Sequence, residues 1–225
     1  MITTSRPAMT REQVRQIDEI AMRDYSMPGI MLMENAGHGA ANFINQQSSP
    51  AKATILCGGG NNGGDGYVIG RHLQTLGWTV EIVSMASENR LFGDAKTNFI
   101  IAKKALIPIK INPDPDSLRS TLRDSEVIID ALLGTGSSGP PRGTYRDAIK
   151  FANQQRSVKY AVDIPSGLDC DTGIAHDLTF RANYTITFVA EKIGFNKNNA
   201  DNFVGVVKVI DIGVPKKLLD DFLVR

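Results

Sequence analysis

The sequence is poor in cysteine and in net charge, and each scarcity excludes a class of protein. Two cysteines, Cys57 and Cys170, are too few for a disulfide framework and lack metal-ligand spacing. The formal net charge is +1, and the lysines and arginines form no basic stripe of the kind that nucleic-acid-binding proteins carry. No apolar run approaches the ~20 residues of a membrane span, and the N-terminal residues do not resemble a signal segment. We therefore expect a cytoplasmic protein that binds neither nucleic acid nor membrane.

The hydrophobic content of 42% is ordinary for a globular chain, and 225 residues suit a single domain, 1–225. Short apolar runs alternate with helical patterns along most of the chain. The predicted helices are 11–25, 30–47, 64–76, 94–105, 116–123 and 145–154. The predicted strands are 53–57, 78–85, 106–111, 126–130, 158–164, 184–189 and 204–210. This alternation predicts an α/β fold with a mainly parallel central sheet and helices on both faces.

Three of the predicted strands end in polar, glycine-rich segments. These segments are 58–66, 130–139 and 163–169. Ligands of parallel α/β sheets bind beyond the carboxyl ends of the strands. If all three strands are central, we expect the three segments to converge on one cleft.

The first segment, GGGNNGGDG, contains the spacing G-x-G-x-x-G between a strand and a helix, which suits a phosphate group. The next strand ends in 83–85, VSM, without the acidic residue of a dinucleotide fingerprint. No Lys-Ser or Lys-Thr pair follows the glycines, so the loop is not a P-loop. An ordinary NAD dehydrogenase is disfavoured. Asn61 and Asn62 are either turn residues or site residues, and Asp65 could simply complement the helix dipole.

Asp130 and Asp163 each end an apolar strand, where a carboxylate must be solvated, hydrogen-bonded or bound to a cation. Either aspartate could instead cap the next turn. Ser166 follows Pro165, a rigid turn that could return the serine hydroxyl to the same cleft. With Asn62, these side chains offer hard oxygen donors and suit a weakly held monovalent cation better than zinc or copper. Lys192 follows a later strand and is either a solvated surface lysine or a site residue.

Taken together, the segments GGGNNGGDG, DALLGTG and VDIPSG resemble the YjeF N-terminal family, the NAD(P)HX epimerases. The segment MENAG at 33–37, the AEK at 190–192 and the DIGVP at 211–215 fit the same family. The resemblance extends from about Arg11 to Pro215. It implies a three-layer αβα Rossmann-like sandwich.

The resemblance also implies a reaction: the interconversion of the R and S forms of hydrated NADH or NADPH (NADHX or NADPHX) at C6 of the nicotinamide ring. This step repairs a damaged cofactor, because a separate dehydratase accepts only the S form. The family is usually homodimeric and needs no redox cofactor. Many members carry a C-terminal dehydratase domain, and we expect this chain to be the epimerase alone.

The reaction needs a proton donor and a proton acceptor, and our mechanistic hypothesis assigns this role to Asp163, with Lys192 orienting it or stabilising charge. The family pattern implies the ligand positions. One potassium ion per subunit is expected on Asn62, Asp130 and Ser166. The substrate-binding positions are Asn61, Asn62, Gly63, Gly64, Asp65, Gly134, Thr135, Gly136, Ser137, Ser138, Gly139, Pro140, Tyr145 and Asp163.

Two other functions remain open at this level. A related fold serves as a non-enzymatic scaffold in messenger-RNA decapping factors, where the glycine loop and the aspartates need not be kept. A different nucleotide-binding enzyme is the second alternative. For the epimerase itself, the C6 hydroxyl could leave and return through an iminium, or the ring could open and reclose.

Overall fold

The computed structural model describes residues 7–223 and forms a single parallel β-sheet between two layers of helices. The strands are β1 Lys52–Cys57, β2 Thr79–Ser84, β3 Ile109–Ile111, β4 Val127–Ala131, β5 Val158–Val162, β6 Tyr184–Phe188 and β7 Val206–Ile210. Their order in the sheet is β3-β2-β1-β4-β5-β6-β7, and every neighbouring pair is parallel. The predicted mainly parallel sheet is confirmed and is parallel throughout these strands.

The α-helices are α1 Arg11–Asp24, α2 Gly29–Gln47, α3 Asn61–Thr75, α4 Gly93–Lys104, α5 Pro115–Arg123, α6 Gly143–Asn153, α7 Asp201–Val204 and α8 Lys216–Leu223. Local sequence explains where several of them begin. Thr10 and Gln13 form the predicted capping box of α1. At α5, the Asp114 side chain accepts hydrogen bonds from the first-turn amides and Pro115 occupies the first turn.

Alternate residues along the central strands point to opposite faces of the sheet and enter two separate cores. On β1, Ile55 packs into the core that includes residues of α1, α2, α3, α4 and α8. Its neighbour Leu56 packs into the core that includes residues of α5 and α6. On β4, Ile129 and Ile128 divide between the same two cores in the same way. This division gives the three-layer αβα Rossmann-like sandwich implied by the resemblance.

The order in which successive strands are added to the sheet reverses between β1 and β4. The strands β1, β2 and β3 build one side of the sheet, and the chain then returns to place β4 on the other side of β1. The loops that follow β1 and β4 therefore leave in opposite directions and open a crevice at the carboxyl end of the sheet. The structure places the glycine loop and the Asp130 segment at this crevice.

Several elements differ from the sequence prediction: the short helix α7 was not predicted, and β3 and β5 are shorter than the predicted strands 106–111 and 158–164. Helix α3 begins at Asn61, three residues before the predicted start at Gly64. Gly63, Gly64 and Gly66 are poor helix formers, which hid the first turn. Close packing requires them, because an added Cβ at Gly66 would lie 2.7 Å from Cys57 Sγ. Helix α8 was not predicted in the tail. Within residues 7–223, no helix is both long and apolar enough to cross a membrane.

Candidate active site

A cleft of about 660 Å³ opens at the carboxyl ends of β1, β4 and β5. This volume lies in the usual range for small-molecule sites. Helices α1 and α2 contribute its outer wall. The predicted site residues that line it are Asn61, Asn62, Asp65, Gly134, Thr135, Gly136, Ser137, Tyr145 and Asp163. The predicted convergence of the three polar segments on one cleft is therefore confirmed.

The loop after β1 approaches the loop after β4 so closely that only glycine fits. A Cβ at Gly58 would collide with the backbone carbonyl of Leu132, and one at Gly63 would collide with the carbonyl of Gly58. Helix α3 starts directly after this loop, and Asn61 and Asn62 in its first turn line the cleft. The first-turn amides of a helix form a favourable site for an anion such as a phosphate.

Tyr145 connects the glycine loop to the other side of the cleft. It belongs to the first turn of α6, and its hydroxyl oxygen accepts a hydrogen bond of 3.1 Å from the amide of Gly59. The residue lines the cleft. Tyr145 therefore fixes the position of the loop and offers an aromatic surface to a bound ligand.

Asp163 follows the last residue of β5 and projects into the cleft. Its φ of 66° lies in the left-handed region, where non-glycine residues are uncommon. The amide of Thr135 donates a hydrogen bond of 2.7 Å to Oδ2, and the ammonium of Lys192 lies 3.3 Å from Oδ1. Two separate loops therefore hold this carboxylate in one orientation.

Lys192 is fully buried, which excludes its interpretation as a solvated surface lysine. Its ammonium also donates to Thr187 Oγ1 at 2.6 Å and to the carbonyl oxygens of Phe188 and Ala190 at 3.1 and 3.2 Å. A buried lysine is rare unless it is paired. Here the ammonium is surrounded by oxygen atoms, and Asp163 is the only carboxylate within salt-bridge distance among the described residues.

Asp130 and Ser166 form a buried network beneath the cleft. The amide and the hydroxyl of Ser166 each donate a hydrogen bond of 2.8 Å to Asp130, one to each carboxylate oxygen. The amide of Leu132 donates to Oδ1 at 3.1 Å, so Asp130 also caps its own turn. Burial raises the pKa of Asp130 to about 6, although these hydrogen bonds oppose the shift. The turn at Pro165 does return the serine hydroxyl to this network.

Asn62 has a buried amide that is left unsatisfied within the described chain. The residue is 8% exposed, and neither Oδ1 nor Nδ2 has a hydrogen-bond partner among the described residues. A buried amide without a partner costs a few kcal/mol of stability, so native structures seldom keep one without a function. A carbonyl oxygen of this kind suits a hard cation or a polar ligand group.

The remaining predicted positions divide between the cleft and its surroundings. The carbonyl of Ser137 accepts a hydrogen bond of 2.7 Å from the Arg11 guanidinium. Ser138 and Gly139 line a small neighbouring depression instead. Pro140 lines neither of these two pockets. Gly64 packs inward, because a Cβ there would lie 2.6 Å from Met33 Cε.

Sequence reasoning missed the contribution of α1, which brings Asp18 to the cleft wall. Val14, Ile17 and Ala21 are the buried residues of this helix. Asp18 follows Val14 by four residues and therefore lies on the same inward stripe. A charged residue on an apolar stripe is the signal that could have revealed it.

Two carboxyl groups of the cleft have raised pKa values. Burial is the main cause of the rise at Asp65, with the charges of Asp163 and Asp18 adding to it. At Asp18, burial and the charge of Asp163 raise the pKa to about 6, while the charge of Lys192 opposes the rise. Carboxyl groups that retain protons to higher pH are candidates for proton transfer. The cleft therefore combines acid–base groups with a phosphate-type loop.

A parallel sheet with a glycine loop at its switch point and a carboxylate–lysine pair in the cleft defines a Rossmann-like α/β enzyme. The model of one family, described as YjeF-related protein N-terminus, matches residues 29–194. The chain belongs to this family. The resemblance deduced from the three segments is confirmed.

Relatives of the chain align over most of its length. A protein named NAD(P)H-hydrate epimerase from Rhodopirellula baltica is 46% identical, covering 97% of this chain and 89% of the relative. One of the same name from Pirellula staleyi is 40% identical, covering 94% of each chain. A relative from Thermofilum pendens, named bifunctional NAD(P)H-hydrate repair enzyme Nnr, is 35% identical, and the alignment covers 93% of this chain and 40% of that protein.

The fold has a solved counterpart in the crystal structure of the yeast protein ynu0. The two chains superpose with a TM-score of 0.83, covering 96% of this chain and 93% of the yeast chain. Their sequence identity is 20%, so the likeness establishes the shared fold only.

Proposed function

We propose that this protein is an NAD(P)H-hydrate epimerase, an isomerase that interconverts the R and S forms of NADHX and NADPHX at C6 of the nicotinamide ring. The observation that carries the proposal is the Asp163–Lys192 pair in a cleft that also holds a helix N-terminus for phosphate. Relatives aligned with almost the whole chain are named for this reaction. The sequence prediction of an epimerase is therefore confirmed, and the scaffold alternative loses its support.

The glycine loop and α3 would hold the pyrophosphate of the substrate. The first-turn amides of α3, beginning at Asn61, and the positive end of the helix dipole favour its negative charge. The loop formed by residues 134–137 would lie along the nucleotide on the other side. Tyr145 would offer its ring as an apolar wall. With the pyrophosphate held there, the nicotinamide end of the substrate would extend toward Asp163.

Asp163 would then transfer the proton at the C6 hydroxyl. Epimerisation changes no oxidation state, so the site needs a proton donor and a proton acceptor in reach of C6. The Thr135 amide and the Lys192 ammonium fix the two oxygens of Asp163 and leave the carboxylate facing the cleft. An iminium route and a ring-opening route both make use of this group.

A potassium ion would fit beside the cleft. The unsatisfied Oδ1 of Asn62, the buried carboxylate of Asp130 and the hydroxyl of Ser166 are hard oxygen donors with a single negative charge among them. That set suits a monovalent cation. When bound, the ion would supply positive charge near the phosphate loop. The chain's own residues would still perform the proton transfer.

The same proposal includes a second enzyme that uses the product and a second copy of this chain. The Thermofilum pendens relative, named a bifunctional repair enzyme, connects this family to a second activity, which in the family is the dehydratase specific for the S form. We propose that this chain supplies the S epimer to a dehydratase and works as a homodimer. The single-domain organisation and the cytoplasmic location stay predictions. Analytical ultracentrifugation of the purified protein tests the homodimer.

A coupled assay tests the proposed function. R-NADHX is mixed with a dehydratase that accepts only the S form, with and without this protein, and NADH formation is followed by absorbance. We expect R-NADHX to be consumed much faster with the protein than by spontaneous epimerisation. Consumption at the spontaneous rate, by protein that is folded and supplied with potassium, would contradict the proposal.

A further inference from the structure

Asp18 is an acidic side chain of the cleft, and for one of its carboxylate oxygens residues 7–223 provide no partner. It lies in the middle of α1, so it caps neither end of that helix. Its Oδ1 is buried and has no hydrogen-bond partner among the described residues. A buried carboxylate oxygen without a donor is costly unless a ligand satisfies it. The side chain lines the same cleft as Asp163.

The chain fixes Asp18 in this position by anchoring the start of α1 to the site. Met9 is bridged to the Lys192 segment, since its amide donates to the carbonyl of Glu191 and its carbonyl accepts from the amide of Ile193. The amide of Arg11 donates a hydrogen bond of 2.8 Å to Asp171. The guanidinium of Arg11 contacts Asp169 at 3.1 Å. The helix therefore cannot swing away from the cleft without breaking these contacts.

Four aspartates line the cleft, Asp18, Asp65, Asp94 and Asp163, and two of them come from opposing elements. Asp163 comes from the end of the sheet, and Asp18 comes from the helix that covers it. An epimerisation at C6 needs a proton transfer on each face of the ring, because the hydroxyl leaves from one face and returns to the other. A single carboxylate cannot reach both faces of a bound ring without a large rearrangement.

We propose that Asp18 is the second acid–base group of the reaction, acting at the face of the nicotinamide ring opposite to Asp163. This inference rests on the proposed function. In the iminium route, one carboxyl gives its proton to the C6 hydroxyl, the C6–O bond breaks, and water leaves as the ring-nitrogen lone pair forms the iminium. A water molecule then adds to the other face of C6, and its proton passes to the other carboxylate. The carboxyls exchange roles in the reverse direction, and their protons re-equilibrate through water in the open cleft.

The charged groups around Asp18 are consistent with this role. The charges of Asp163, Lys192 and Glu19 influence the pKa of Asp18. The charge of Asp18 in turn raises the pKa of Asp65 on α3. Burial and the negative neighbours raise the pKa of Asp18 to about 6, so the group can exist in both protonation states near neutral pH. Arg11 and Arg15 also line the cleft from α1.

The test compares Asp18→Asn with Glu12→Gln. Asparagine keeps the size of the side chain but transfers no proton, whereas Glu12 is an exposed carboxylate of the same helix that accepts a hydrogen bond of 2.9 Å from Gln16. In the coupled assay with R-NADHX we expect kcat to fall about 100-fold in Asp18→Asn with KM nearly unchanged, and to stay normal in Glu12→Gln. Asp18→Glu should recover part of the rate, because it restores a carboxyl. The profile of kcat/KM against pH should lose its limb near pH 6 in Asp18→Asn only.

The outcomes separate this inference from the proposed function. Near-normal kcat in folded Asp18→Asn, with the wild type active, would overturn the role of Asp18 alone. A loss of rate confined to KM, with an unchanged pH profile, would overturn it as well and assign Asp18 to substrate binding. An inactive wild type would overturn the proposed function first. If Asp18→Asn does not fold, Asp18→Glu decides: partial activity with a shifted pH profile supports the proposal, and a wild-type rate and pH profile overturn it. A wild-type profile of kcat/KM without a limb near pH 6 also counts against the proposal.

Discussion

The ammonium of Lys192 lies 3.3 Å from Oδ1 of Asp163, and the lysine side chain is fully buried. The amide of Thr135 holds the other carboxylate oxygen at 2.7 Å. The carboxylate is therefore oriented from two sides while it faces the cleft. Such a fixed group needs little reorganisation during a proton transfer, which is the condition for efficient general acid–base catalysis.

The first prediction concerns Asp163→Asn. Asparagine tolerates the left-handed backbone of this position and can still accept from Thr135, so we expect the variant to fold. Its unfolding free energy should fall, because the buried Lys192 loses its charged partner. It cannot transfer a proton, so kcat in the coupled R-NADHX assay should fall by about 100-fold or more. Asp177→Asn, an exposed position in the same loop after β5, should keep full activity. Near-normal turnover in Asp163→Asn would remove Asp163 from the mechanism.

Lys192→Met tests the partner of Asp163. The substitution leaves the carboxylate without its cation and leaves Thr187 and two backbone carbonyls without their donor. We expect a loss of about 3–5 kcal/mol of unfolding free energy and of most of the activity. The matched control is Lys159→Met, which removes a buried lysine that donates only to the carbonyls of Gln155 and Ser157. That control should lose stability but keep its kcat, and equal losses of kcat in both variants would refute a specific role for Lys192.

Gly134→Ala tests the fit of the loop after β4. An added Cβ would lie 2.9 Å from Asp163 Oδ2 and 3.2 Å from Asn62 Cβ, so it should displace the carboxylate. We expect kcat to fall about 10- to 100-fold, because small displacements of a catalytic group are costly. At Gly136 an added Cβ meets nothing within 4 Å. Gly136→Ala should therefore alter KM more than kcat, and the reverse pattern would contradict this interpretation.

Much of this site could be predicted because its residues follow apolar strands. The segments after β1, β4 and β5 are visible in the sequence as glycine and aspartate after runs of isoleucine, valine and leucine. The carboxyl ends of parallel strands meet at one edge, so strand order alone brings Asp130 and Asp163 to the same crevice. Ser166 could be placed for the same reason, because Pro165 restricts the turn between them.

Other parts could not be predicted because they depend on packing between distant segments. The start of α3 contains glycines that disfavour a helix, and it is the close approach of β1 and Met33 that requires glycine there. Asp18 is 145 positions before Asp163 in the sequence, and no local pattern states which helix covers the cleft. The segment of the buried Lys192 is bridged to Met9, which lies far away in the sequence.

Asn62→Leu tests the potassium site without substrate. Leucine has nearly the same size and removes a buried amide that lacks a partner, so in potassium-free buffer the variant should be as stable as the wild type or up to about 2 kcal/mol more stable. Potassium should raise the Tm of the wild type through ligand binding, and Asn62→Leu should show no such rise. Tetramethylammonium at equal ionic strength is the control salt. An equal response of the wild type to both salts would count against the site.

The last prediction concerns the pH dependence of stability at Asp18, whose pKa rises from the usual 3.8 to about 6 through burial and the charge of Asp163. The folded state therefore binds this proton more tightly than the unfolded state does. Between about pH 4 and pH 6 a larger fraction of Asp18 is protonated in the folded state than in the unfolded state, so the contribution of Asp18 to stability falls as the pH rises. Lys192 opposes the shift, whereas Glu19 on the same helix adds to it, and Asp65 faces Asp18 from α3.

Asp18→Asn should remove this contribution. Urea unfolding at pH 4.5, 5.5, 6.5 and 7.5 measures the difference in unfolding free energy between the variant and the wild type. We expect the variant to gain about 1–2 kcal/mol relative to the wild type between the lowest and the highest pH, a figure reduced for the partial exposure of the side chain. Glu12→Gln provides the baseline for removing an exposed carboxylate from the same helix. A difference in unfolding free energy that stays constant with pH would show that Asp18 has the same pKa in the folded and unfolded states. That result would contradict the prediction that the cleft raises its pKa.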